Sequence, residues 1–133
     1  SHKELHPDEI FSLFKKTFEN TKEPYEILEV HFQQKEGGIT TQVTSSFNGK
    51  VTVTEAKGNG RLDAVSNALK KTYELKYQLE TYQEHALEES SSSRAIAYVG
   101  IRKPDGTMAW GAGVHADIIH ASIDALIASI NNR

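Results

Sequence analysis

The sequence predicts an α+β domain: a lead-in helix, then two successive β-β-β-α units with antiparallel strands covered by helices. Three observations carry that reading. Six short stretches read as strands, several of them alternating apolar and polar residues as half-buried strands do. After every third stretch the apolar period changes from two to about 3.6 residues. Glycine- and proline-containing turns separate the stretches. At 133 residues the chain suits one domain with a real core.

The lead-in helix is expected over Pro7 to Asn20. Pro7 suits a first helical position, Asp8 and Glu9 suit the positive end of the dipole, and Ile10, Phe11, Phe14 and Phe18 form a stripe. Glu26 to Gln33 alternates, placing Leu28, Val30 and Phe32 on one face. Gly37-Gly38 turns the chain into Ile39 to Phe47, where Ile39, Thr41, Val43 and Phe47 share a face. Asn48-Gly49 is a strong hairpin signal, because both residues tolerate the positive φ of a type I′ turn. Val51 to Glu55 returns. Past Gly58-Asn59-Gly60, Leu62, Val65, Leu69 and Tyr73 lie on one side of a helix.

The second unit repeats this order. Leu75, Tyr77, Leu79 and Thr81 alternate in a strand running towards His85, and a polar loop, Glu88 to Ser93, follows. Ala95 to Ile101 and Met108 to Val114 are strands about the turn Pro104-Asp105-Gly106. The last helix, from about Ala116 to Ile130, should bury Ile119, Ile123, Leu126, Ile127 and Ile130. A three-stranded layer under one helix is thin, so a homodimer is expected.

Composition narrows the function classes. The absence of cysteine removes disulfides and thiolate metal sites, and the formal charge of -3 lacks the basic stripe of a nucleic-acid binder. No stretch approaches the ~20 apolar residues of a membrane span, and no secretory signal is visible. A cytoplasmic protein is expected. The opening at Ser1 without methionine is expected of a piece of something larger.

Few residues suggest chemistry. Gly58-Asn59-Gly60-Arg61-Leu62-Asp63 sits at a strand-to-helix junction, where unpaired amides and the dipole can hold an anion. The competing reading is a tight turn and nothing more. Trp110-Gly111-Ala112-Gly113 offers the same choice before the second helix, and close strand packing is the favoured reading there. Tyr82, Glu84 and His85 concentrate polar chemistry, yet Glu84 and His85 are strand neighbours facing opposite ways and form no dyad. His115 and His120, taken as helical, are separated by about 140° of rotation, which argues against a metal site. No serine stands in a hydrolase elbow. No catalytic residue and no metal ligand is expected.

As a set, several stretches go further. Gly58-Asn59-Gly60 with Asp63-Ala64 and Asn67-Ala68-Leu69, then Tyr82-Gln83-Glu84-His85-Ala86-Leu87, Arg94 to Tyr98, Trp110-Gly111-Ala112-Gly113 and the closing Ala121 to Asn131 resemble the C-terminal regulatory domain of 2-isopropylmalate synthases. The resemblance covers about residues 25 to 131. It implies residues 1–23 as a linker-type helical segment and 24–133 as a double βββα domain that dimerises and binds leucine as a feedback inhibitor. The catalytic TIM barrel, which uses a divalent metal to condense acetyl-CoA with 2-oxoisovalerate, lies outside this chain, so no cofactor is expected here.

Carried over by position, the backbone at Gly58, Asn59 and Gly60 and the helix start at Leu62 and Asp63 would meet the effector's carboxylate and ammonium. Leu79, Tyr82, Ala86 and Ile118 would line the side-chain pocket. Arg61 departs from the proline of many members, keeping an N–H and adding a charge beside the carboxylate. Alternatives are an isoleucine sensor like that of citramalate synthases, a dimerisation module without ligand, and a small freestanding enzyme. The Tyr-x-Glu-His-Ala-Leu stretch favours leucine.

Overall fold

The computed structural model describes residues 24–35, 37–86 and 94–133; the expected helix over residues 7–20 and the serine-rich loop 88–93 lie outside them. Strands β1 (Tyr25–Lys35), β2 (Gly38–Phe47) and β3 (Lys50–Gly58) form an antiparallel sheet in that order, followed by α1 (Arg61–Tyr73). Strands β4 (Gln78–Ala86), β5 (Ala95–Arg102) and β6 (Met108–His115) form a second such sheet, followed by α2 (Ile118–Asn131). The two βββα units are present.

Turn chemistry sets the hairpins. Asn48 (φ 50°) and Gly49 (φ 88°) both adopt positive φ, and Phe47 pairs with Lys50 across them. Gly106 sits at φ 89° and closes its turn by donating to the Lys103 carbonyl at 2.9 Å. The Asp105 carboxylate accepts from the Thr107 amide and hydroxyl, which fixes the rest of that turn.

α1 covers β2 and β3, α2 covers β5 and β6 and reaches β1, and the helices touch each other. One apolar cluster joins the units: Val43, Val65, Leu69, Val99, Ile101, Leu126 and Ile130 are all at most 2% exposed within it. Each such side chain contributes roughly 1.5–3 kcal/mol by burial. The polar flank of α1 is tied to β3, with Asn67 donating to the Lys57 carbonyl, Lys71 to that of Glu55, and Thr72 to the Thr54 hydroxyl. Asn131 fastens α2 to β1 by accepting from the Tyr25 amide and donating to its carbonyl, both at 2.9 Å.

Several expectations change. Leu28 is 50% exposed rather than in the core, because an irregularity between Ile27 and Glu29 breaks the alternation and leaves Ile27, Val30 and Phe32 packed inward. A second irregularity, between Leu79 and Thr81, sends Thr81 to the far face opposite Gly100. Tyr82, opposite Val99, takes its place on the face of Leu79. The last helix starts at Ile118 behind an Asp117 cap, and Ile119 and Ile127 are only partly buried. His115 therefore belongs to β6, so the helical rotation does not apply, and its ring packs 4.5 Å from that of His120.

Gly111 and Gly113 lie within β6 rather than at the head of a helix. A Cβ on Gly111 would stand 2.3 Å from the Ala125 carbonyl oxygen, and one on Gly113 2.3 Å from that of Ala121. Their missing side chains let α2 rest on the strand backbone. Gly111→Ala should lower stability by about 1–3 kcal/mol through overpacking, whereas Gly60→Ala, with open space around its Cβ, should cost less, about 0.5–1 kcal/mol for the poorer N-cap. Urea unfolding of the two variants checks the contrast.

Tyr77 generates a second expectation. It is 6% exposed, and its hydroxyl meets that of Ser66 at 2.6 Å. Burial pushes its phenol from the ordinary 10.0 to about 12. The unfolded chain therefore releases this proton first, so the contribution is whole below pH 10 and is lost as pH rises towards 12. Burial raises Tyr82 and Tyr98 in the same direction. Tyr77→Phe should flatten, without abolishing, the alkaline fall in urea midpoint.

Candidate functional site

The predicted residues lie on three elements: the head of α1, β4 and the head of α2. Gly58 ends β3, and its missing side chain is filled from within: a Cβ there would lie 2.4 Å from the Ala64 amide nitrogen. Gly58 thus serves the tight turn. Gly60 caps α1 in extended conformation, and a Cβ on it would meet nothing within 4 Å. It is the open position of the two.

The intrahelical ladder of α1 begins with the Ala64 amide donating to the Gly60 carbonyl at 2.9 Å. The amides of residues 61 to 63 precede it and have no acceptor in the helix. Asp63 supplies a carboxylate to this positive end, where Oδ2 accepts from the Asn59 amide at 2.9 Å. The exposed Asn59 thereby contributes its backbone to the loop's own anion contact.

The apolar side is built from both units. Leu62 is 9% exposed and belongs to the shared core, with Leu79 and Ile118 partly buried against the same cluster. Tyr82 projects from the Leu79 face of β4 and remains 42% exposed. Its Oη lies 2.7 Å from Ser122 Oγ on α2, and Ser122 donates to the Ile118 carbonyl one turn earlier at 2.8 Å. Tyr82 also donates to Glu84 Oε2 at 2.5 Å.

Partial burial pushes the Tyr82 phenol above its ordinary value, and the Glu84 carboxylate adds to the rise. The Ser122 bond and the Arg61 charge act in the opposite sense. Arg61, the first residue of α1, thus lies near enough to act on Tyr82. Ala86 is not part of this grouping: it ends β4, exposed, four residues or roughly 13 Å of strand beyond Tyr82. His85 faces the other side of the sheet, 5.9 Å from the Tyr98 ring, so it and Glu84 form no dyad. A separate cleft of about 590 Å³ at the other end of α1, lined by Lys70, Lys76, Arg102 and Lys103, contains none of the predicted residues.

Comparison with known proteins decides the family. The pattern of the LeuA allosteric (dimerisation) domain matches residues 4–133. The chain belongs to that family. Its match takes in most of the segment before β1. This LeuA domain is 45% identical over 130 residues to the 2-isopropylmalate synthase of Desulfitobacterium hafniense, covering 98% of this chain and 23% of that protein. It is 35% identical to the synthase of Helicobacter hepaticus, covering 98% of this chain and 25% of the relative. For the Saccharomyces cerevisiae synthase the figures are 32%, 98% and 22%. The chain spans about a quarter of the length of these relatives.

Within this LeuA domain, sequence reasoning missed Ser122 and underrated Glu84. Ser122 stands four residues after Ile118, hence on the same helical face, and that spacing was its available signal. Glu84 reaches Tyr82 because residues two apart on a strand share a face.

Proposed function

We propose that this chain is the leucine-sensing regulatory part of a 2-isopropylmalate synthase, acting by feedback inhibition, and that residues 24–133 form its effector domain behind a linker-type segment, 1–23. On this reading the condensation of acetyl-CoA with 2-oxoisovalerate, and the metal it uses, belong to the three-quarters of the relatives that this chain does not cover. On the same reading the chain itself would supply no catalytic group.

What supports the leucine reading is that the head of α1 holds amides outside the helical ladder, while Leu62 beside them packs in the same apolar cluster as Leu79 and Ile118. A zwitterion needs donors for its carboxylate, and a helix start adds a dipole contribution of ~0.3–1 kcal/mol. It also needs a dry place for its side chain, and burying an isobutyl group contributes about 1.5–3 kcal/mol. The synthase names of the relatives support leucine over isoleucine.

Titration calorimetry of the chain with leucine, isoleucine and valine should give leucine the tightest binding. Gly60→Val, which the open space and extended backbone admit without a clash and at the modest cost of a poorer N-cap, should crowd the approach to the amides and weaken leucine about tenfold or more, ~1.4 kcal/mol. Unchanged affinity in that variant would place the carboxylate elsewhere.

The homodimer is part of the same proposal. Val51 and Val53 are 56% and 55% exposed on the face of β3 turned away from α1, and Leu28 is 50% exposed at its bulge. Apolar side chains clustered this way on a small domain are suited to cover by a second copy. Sedimentation velocity at tens of micromolar should show a dimer; a monomer there would count against the assembly.

A further inference from the structure

The hydrogen-bond chain on β4 and α2 contains more acceptors than protons. Tyr82 Oη contacts Glu84 Oε2 at 2.5 Å and Ser122 Oγ at 2.7 Å, and Ser122 Oγ contacts the Ile118 carbonyl at 2.8 Å. Three links need three protons, and the two hydroxyls bring two. Such a cluster suits a ligand rich in donors.

Charge supports the same conclusion. Among the described residues Glu84 has no cationic partner at ion-pair distance, whereas the charge of Arg61, the first residue of α1, acts on Tyr82 in the sense opposite to Glu84. Charges of both signs thus act at Tyr82, as a zwitterion requires. Asp63, the other acid near the head of α1, already accepts from the Asn59 amide.

We infer that Glu84 is the acceptor for the effector's α-ammonium group and that Tyr82 is the positioning residue holding its carboxylate beside Ile118, an inference that rests on the leucine reading. It assigns the selectivity of the site for an amino acid over the 2-oxo acid of the same skeleton. The oxo acid presents the same carboxylate and isobutyl group but no donor to Glu84, and it brings no positive charge to meet that carboxylate.

The test is titration calorimetry of the parent chain and of Glu84→Gln with leucine and with 4-methyl-2-oxopentanoate. Glutamine keeps the side-chain length and an oxygen for the Tyr82 hydroxyl, so the fold and that hydrogen bond survive. The parent should prefer leucine, and Glu84→Gln should bind leucine about tenfold more weakly, ~1.4 kcal/mol, with the oxo acid bound no less tightly. Glu84→Asp, which retains the charge, should recover part of the loss. Equal leucine affinity in Glu84→Gln overturns the assignment and leaves the leucine reading standing. A parallel loss for both ligands makes Glu84 structural and overturns it as well. A parent chain that binds no leucine brings down both.

Discussion

The contact on which the rest depends is the seating of α2 directly on the backbone of β6. With glycine at 111 and 113, and Ala121, Ala125 and Ala128 buried on the helix, the two elements meet with almost no side chain between them. The hypothetical Cβ distances of 2.3 Å show how little room remains. This closeness brings the head of α2 down to the sheet, so Ser122 Oγ reaches the edge strand and lies 2.7 Å from Tyr82 Oη. One methyl group on β6 would lift the helix and move Ile118 and Ser122 with it. Packing and site geometry are one constraint here.

The two irregularities extend that argument. In each unit the first strand slips near its start, between Ile27 and Glu29 in β1 and between Leu79 and Thr81 in β4. The repeat of the fold thus includes its bulges, though the sequences of the two strands differ. The first slip ejects Leu28 to solvent. The second turns Tyr82 to the helix side and, with it, Glu84. Without the slip at Glu80, strict alternation from Leu79 would put Thr81 beside α2 and Tyr82 on the outer face.

This is also why legibility was uneven. Asn48-Gly49 was readable because few residues accept two successive positive φ values. The Leu62, Val65, Leu69 stripe was readable because a 3.6-residue period admits few other meanings. A bulge adds one residue to one strand, which changes no composition and breaks only the parity on which a strand reading rests. His115 was misplaced because Asp117, a capping residue accepting from the Ile119 amide, starts the helix two residues after it. The glycines were ambiguous in sequence because the same residue serves opposite ends. Gly58 is packed full by its own helix, and Gly60, two positions on, faces open space.

The proposed effector needs all of these parts together. A dipole contribution of ~0.3–1 kcal/mol or a single exposed charge pair of ~0.2–1 kcal/mol holds nothing at metabolite concentrations alone. Burial of an isobutyl group, about 1.5–3 kcal/mol, is likewise insufficient against the freedom lost on binding. Only their sum would select one small molecule, and the proposed groups belong to different units: the amides and Leu62 to α1 of the first, Leu79, Ile118 and the acceptor to β4 and α2 of the second. A ligand seated on them joins the two units through a contact that the helices otherwise make only by touching in the core. On the proposed reading its binding energy would bear on the relative placement of α1 and α2, a change that a regulatory domain could pass on.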